Sequence, residues 1–144
     1  TPDLFPLPTD AMGNSVDKAG ALEVLVVEGE PASSFLLCLQ LRHLGYHRLN
    51  LSQTLSDALE RIHLRGPERP ELVVLDVEDD HIGTVAPLAT AIRAQGIAFI
   101  AVVSRNAGAL PPAYDAAVVI CRPPGMSDVS DAICLARGHD PWSD

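Results

Sequence analysis

Two acidic side chains close two apolar runs. Asp76 ends Leu72-Val73-Val74-Leu75-Asp76, and Glu28 ends Val24-Leu25-Val26-Val27-Glu28. Aliphatic runs of this length read as strands buried on both faces of a parallel sheet. In an open α/β sheet the site lies beyond the carboxyl ends of such strands. Glu28 and Asp76 are therefore expected at one edge, placed to share a pocket. Two carboxylates about 4 Å apart repel by roughly 4 kcal/mol at an intermediate dielectric. With Glu78 close by in the sequence, such a pair needs a counter-charge.

The elements that must position these residues alternate from Ala21 onward. A first strand over 23–27 leads to a helix that opens with Pro31, an ordinary first-turn residue. Phe35, Leu36, Leu39 and Leu44 give that helix an apolar stripe, and Gly45 closes it. Arg48 to Leu51 is a short second strand. Ser52 is expected to cap a helix carrying Leu55, Ala58, Leu59 and Ile62, which ends near Gly66-Pro67. After the strand Leu72 to Asp76 come a helix from Val85 to Ala94, a strand from Ala98 to Val103 and a strand from Ala117 to Cys121. A last helix, capped by Ser127, runs through Arg137.

Between the last two strands, Gly108, Pro111 and Pro112 penalise a helix, leaving at most one turn near Ala113 to Ala116. The fold class is therefore α/β. It is a flavodoxin-like, doubly wound, five-stranded parallel sheet of order 2-1-3-4-5, with a degenerate fourth helix. Residues 1–20, rich in Pro and Gly, read as a flexible N-terminal tail. Residues 21–138 form one domain, and 139–144 are a C-terminal tail. The chain opens on Thr1, as a processed form or a piece would, and Trp142-Ser143-Asp144 reads as a natural terminus.

Composition narrows the function classes. The 144 residues suit one domain with a full core, 47% hydrophobic and only 4% aromatic. A net charge of −9 argues against a nucleic-acid surface. No apolar run reaches the ~20 residues that span a bilayer, and there is no signal-peptide core. Cys38, Cys121 and Cys134 are expected to be small buried hydrophobes in a reducing, cytoplasmic setting. The acidic loop Glu78-Asp79-Asp80 reads as solvated, with a transition-metal site at Asp79 and His81 the minor alternative. No phosphate loop or nucleophile–base arrangement is present, so enzyme activity is not expected.

Several motifs, in order, resemble the response-regulator receiver domain of two-component signalling. They are Val24-Leu25-Val26-Val27-Glu28-Gly29-Glu30-Pro31, Leu44-Gly45-Tyr46, Pro70-Glu71-Leu72-Val73-Val74-Leu75-Asp76, Gly96-Ile97-Ala98-Phe99-Ile100 and Val118-Val119-Ile120-Cys121-Arg122-Pro123. The resemblance covers residues 22 to 137. It implies that Asp76 stands at the phosphoacceptor position, with Mg²⁺ held by neighbouring carboxylates. Glu28, Asp76 and the backbone of Glu78 are the metal ligands it implies. The second acidic position holds Gly29, which offers no side-chain oxygen, and a residue of the 78–80 loop is the alternative donor. Arg122 stands at the lysine position, with a planar fork in place of an ammonium. Val103 falls at the switch hydroxyl position, and Ser104 reaches it only by a one-residue slip. Tyr114 lies near the output face.

From these replacements a divergent single-domain receiver is expected, acting as a protein–protein signalling module in the cytoplasm of a bacterium. Arg122 is expected to hold a standing ion pair with Asp76 or Glu78. Mg²⁺ is then bound weakly or lost. The implied partner is a sensor histidine kinase or another signalling protein, and a homodimer through the remodelled output face is a further expectation. Two other readings stay open: a working phosphoacceptor in a phosphorelay with a relocated Mg²⁺ ligand, and a small ligand-binding protein or enzyme with a pocket at Glu28, Asp76 and Arg122.

Overall fold

The computed structural model describes residues 20–138. The expected tails fall outside those residues, Gly20 apart. Five strands form one sheet: β1 (Glu23–Val27), β2 (Arg48–Ser52), β3 (Leu72–Asp76), β4 (Ala98–Val103) and β5 (Val118–Cys121). All neighbours pair in parallel in the order β2-β1-β3-β4-β5. This is the flavodoxin-like order that the apolar runs predict.

Among the described residues, the two outer layers are completed by the α-helices α1 (Pro31–His43), α2 (Leu55–Ile62), α3 (Ala86–Ala94) and α4 (Met126–Ala136). Successive strand residues point to opposite faces, so the core is split in two. Val24, Val26, Leu72, Val74, Ile100 and Val102 meet Leu37 and Leu41 of α1 and Val129, Ala132 and Ile133 of α4. On the other face Leu25, Val73, Leu75, Phe99 and Ala101 meet Ala58 and Ile62 of α2 and Leu88, Ala89 and Ile92 of α3. Every residue of β1 and β3 is buried. Each fully buried aliphatic side chain contributes roughly 1.5–3 kcal/mol, so these two strands fix the frame that carries Asp76.

The connection from β4 to β5 has no α-helix, only the 3₁₀ turn Pro112–Tyr114. The edge strand β5 is accordingly less covered than the others, and Val119 is 43% exposed. A groove of about 530 Å³ opens there, lined by Val103, Ser104, Leu110, Tyr114, Val119 and Cys121, among others.

Four local expectations are corrected. Phe35 and Leu39 point outward, 67% and 50% exposed, while Leu37, Gln40 and Leu41 turn inward. The helix is apolar on nearly every side, so periodicity does not choose its face. Thr54, not Ser52, caps α2, its Oγ1 accepting from the Asp57 amide at 3.1 Å. Ser52 ends β2 and donates to Asp57 Oδ2 at 2.6 Å. Gly125 precedes α4, and the Asp128 carboxylate accepts from its amide at 2.9 Å, so Ser127 lies inside the helix. Cys121 is exposed on the edge strand, and Cys38 and Cys134 are half-buried.

Candidate functional site

The ladder carries on one step past the strand ends. Glu28 donates its amide to the Ser52 carbonyl at 2.8 Å, Val77 to the Val102 carbonyl at 2.9 Å and Arg122 to the Val103 carbonyl at 2.8 Å. These bonds fix the first residue of three loops at the carboxyl edge. Asp76 lies opposite Val102 in the register, and Cys121 opposite Val103. Arg122 therefore emerges beside the end of β4, within side-chain reach of β3.

Asp76 is the buried centre of this edge, 2% exposed. Its Oδ2 accepts from the Glu30 amide at 2.9 Å and from Ser34 Oγ at 3.2 Å. Its Oδ1 accepts from Ser33 Oγ at 3.2 Å and from Arg122 Nε at 3.1 Å. A carboxylate offers about four acceptor directions, so these donors use all of them. Three of the four come from the N-cap and the start of α1. Glu30 is its N-cap, with Oε1 accepting from the Ser33 amide at 2.9 Å, and Pro31 follows. The amino end of a helix carries partial positive charge, which favours an anion there. Arg122 reaches further and donates from Nη2 to the carbonyls of Val77 and Val102. Its side chain is 18% exposed, and that of Asp76 is 0% exposed. The Arg122–Pro123 peptide is cis.

Gly29 touches this centre through its backbone. A β-carbon built on it falls 2.8 Å from the Asp76 carbonyl carbon, closer still to the carbonyl oxygen, and 3.4 Å from Oδ2. The turn between β1 and α1 lies directly on Asp76 because this position lacks a side chain.

The other predicted residues lie elsewhere. The Glu28 carboxylate accepts from Gln53 Nε2 at 3.4 Å, at the β2 side of the edge. Glu78 faces His81, with Oε2 3.5 Å from Nδ1. Val103 is buried with Leu75, Val77, Phe99 and Tyr114, on the face opposite Asp76. Ser104 Oγ accepts from the Asn106 amide at 3.1 Å and shapes a turn. Tyr114 is buried, donating its hydroxyl to the Ile82 carbonyl at 2.6 Å, with its ring centroid 6.5 Å from that of Phe99. Desolvation pushes its phenol up to about 12. Among the described residues, no group of three or more His, Cys, Asp or Glu side chains is disposed to hold a metal ion.

Asp76 and Arg122 are thus the two predicted residues that meet. Ser33 and Ser34 are the ones that sequence reasoning missed. Their signal was slight: two hydroxyls in the first turn of the helix that follows the acidic turn. A cleft of about 310 Å³ adjoins the centre, lined by Glu30, Ala32, Ser33, Leu36, Arg122, Pro123 and Pro124. Glu28 is not part of it.

No family model matches the chain, and no curated protein matches it. A solved structure similar to it is the solution structure of SdrG from Sphingomonas melonis Fr1, with a TM-score of 0.66 and 24% identity, over 81% of this chain and 97% of that one. No described helix is long and apolar enough to cross a membrane. The likeness and the strand order together give the fold, a flavodoxin-like α/β sheet with Asp76 at its carboxyl edge.

Proposed function

We propose that this chain is a divergent receiver-type module that signals by protein–protein contact, with Asp76 held as a structural anion rather than used as a switching phosphoacceptor. The carrying observation is the ion pair of Arg122 and Asp76, 3.1 Å between Nε and Oδ1. A switch needs contacts that exist in one state only, worth about 5.5 kcal/mol of differential binding for a full change. Here the carboxylate is already satisfied, the hydroxyl position holds buried Val103, and the Arg122 fork is spent on Asp76 and two carbonyls. The partner is a sensor histidine kinase or another signalling protein in a bacterial cytoplasm. The face without its helix, around Val119 and Tyr114, is the contact region, for such a partner or for a second copy. The module is not an enzyme.

Incubation with acetyl phosphate and Mg²⁺, followed by intact mass, tests this. The unmodified mass is expected. A phosphoryl adduct that disappears in Asp76→Asn overturns the reading and restores the working phosphoacceptor.

A further inference from the structure

The resemblance to receivers implies a divalent cation beside the phosphoacceptor carboxylate, and the residues present do not fit one. A hard cation needs several oxygen ligands with free lone pairs. Asp76 accepts four hydrogen bonds on two oxygens. Glu28 is engaged by Gln53, and Glu78 faces His81. The second acidic position is glycine, and a β-carbon there would press on the Asp76 carbonyl. The fixed charge of Arg122 already stands against the carboxylate.

We infer that the chain supplies this cation from within. The Arg122 guanidinium, the Ser33 and Ser34 hydroxyls and the amino end of α1 hold Asp76 as an internal ligand, and the edge binds no divalent metal. Gly29 is the positioning residue that makes the arrangement fit, because its bare backbone lets the β1–α1 turn lie on Asp76. The result is a latch across four elements. Arg122 follows β5 and bonds the carboxylate at the end of β3 and the Val77 and Val102 carbonyls. The same carboxylate anchors the start of α1. Held this way, the edge keeps one arrangement, and partner recognition does not wait for a metal or a phosphoryl donor.

This inference rests on the reading of a non-switching module and sharpens it. The whole chain is titrated with MgCl₂ against NaCl at matched ionic strength. Melting temperature and the amide shifts of Gly29, Glu30 and Val77 are followed. No saturable change in the millimolar range is expected. Asp76→Asn is expected to lower the melting temperature by at least about 4 °C, with or without Mg²⁺. An acidic metal pocket gives the opposite sign, because neutralising one carboxylate relieves repulsion. Gly29→Asp is expected to gain no Mg²⁺ binding and to melt lower.

Saturable Mg²⁺ shifts in the unmodified chain, a more stable Asp76→Asn, or Mg²⁺ binding gained by Gly29→Asp would each overturn the latch. If Asp76→Asn does not fold, the titration of the unmodified chain decides alone. Mg²⁺ binding without a phosphoryl adduct ends this inference and leaves the proposed function standing. An adduct ends the proposed function.

Discussion

Arg122 Nε lies 3.1 Å from Asp76 Oδ1, joining positions 46 residues apart across the intervening end of β4. The carboxylate is fully enclosed and the arginine side chain is partly buried, 18% exposed. A buried pair of this kind is not strong evidence of stability as a whole. Removing one partner is costly all the same, because the other is left charged without water.

Arg122→Ala is therefore expected to lose about 3–5 kcal/mol of unfolding free energy. Arg122→Lys should lose less, since it keeps the charge. It is still worse than the parent, because an ammonium cannot reach Asp76 and the strand-end carbonyls with one planar fork. Urea denaturation of the three proteins, with midpoints and slopes compared, checks the order.

Gly29 and Gly83 form a matched pair of substitutions. Alanine at Gly29 forces a β-carbon onto the Asp76 carbonyl, whereas Gly83 has nothing within 4 Å. Gly29→Ala should cost about 1–3 kcal/mol, as overpacking does. Gly83→Ala should stay within about 0.5 kcal/mol. Equal midpoints for the two would show that the β1–α1 turn does not rest on Asp76.

Much of the sheet was legible because its three central strands are buried on both faces. Leu72 to Leu75 and Ala98 to Val103 are unbroken apolar runs, the first closed by Asp76, and the strand bounds follow from them. The missing helix between β4 and β5 was legible as well, since Gly108, Pro111 and Pro112 leave room only for the turn at Pro112–Tyr114. The face of α1 was not. Phe35 and Leu39 are as apolar as Leu37 and Leu41, and only packing against β1 and α4 separates them. At the site, Asp76 and Arg122 were readable from strand ends and motif order. Ser33 and Ser34 were not, because a serine in a helix's first turn usually serves the helix itself. That they turn to a carboxylate 43 and 42 residues away is a tertiary fact.

Tyr114 ties the 3₁₀ turn before β5 to the loop after β3 through its bond to the Ile82 carbonyl. Tyr114→Phe should cost about 1 kcal/mol. Its ionisation gives a second check. The folded value is raised to about 12, above that of a free phenol, because burial disfavours the phenolate. Stability is then full below the unfolded value of about 10 and falls as pH rises toward the folded one. Absorbance of phenolate against pH should show Tyr114 ionising late, and Tyr114→Phe should flatten the alkaline loss of stability.

At the other end of the pH scale stands Asp57. The Ser52 hydroxyl and then the Arg61 guanidinium, 2.9 Å away, hold its carboxyl below the usual range. A depressed folded value gives stability that is present above the unfolded value and lost as pH falls through the folded one. Ser52→Ala should bring the Asp57 titration, followed by carboxyl carbon NMR, back up toward its ordinary range. Asp57→Asn should remove that part of the acid dependence. An unchanged titration in Ser52→Ala would mean that the hydroxyl bond contributes nothing.

Val103 offers the most direct comparison with a working receiver, because a hydroxyl is what that position would need. Val103→Thr changes little in volume, so sterics alone predict a mild effect. The side chain, however, sits among Leu75, Val77, Phe99 and Tyr114, only 4% exposed and on the face away from Asp76. A hydroxyl placed there without a partner costs about 1–3 kcal/mol. Val103→Thr is therefore expected to destabilise the chain by that amount in urea, and to leave the intact mass unchanged after treatment with acetyl phosphate and Mg²⁺. Adding Arg122→Lys should lower stability further without producing an adduct, since neither change opens the hydrogen bonds that Ser33, Ser34 and Glu30 make to Asp76. A phosphoryl adduct in the double variant would show instead that the edge lacked only these two groups, and that the contacts from α1 yield when a phosphoryl group arrives.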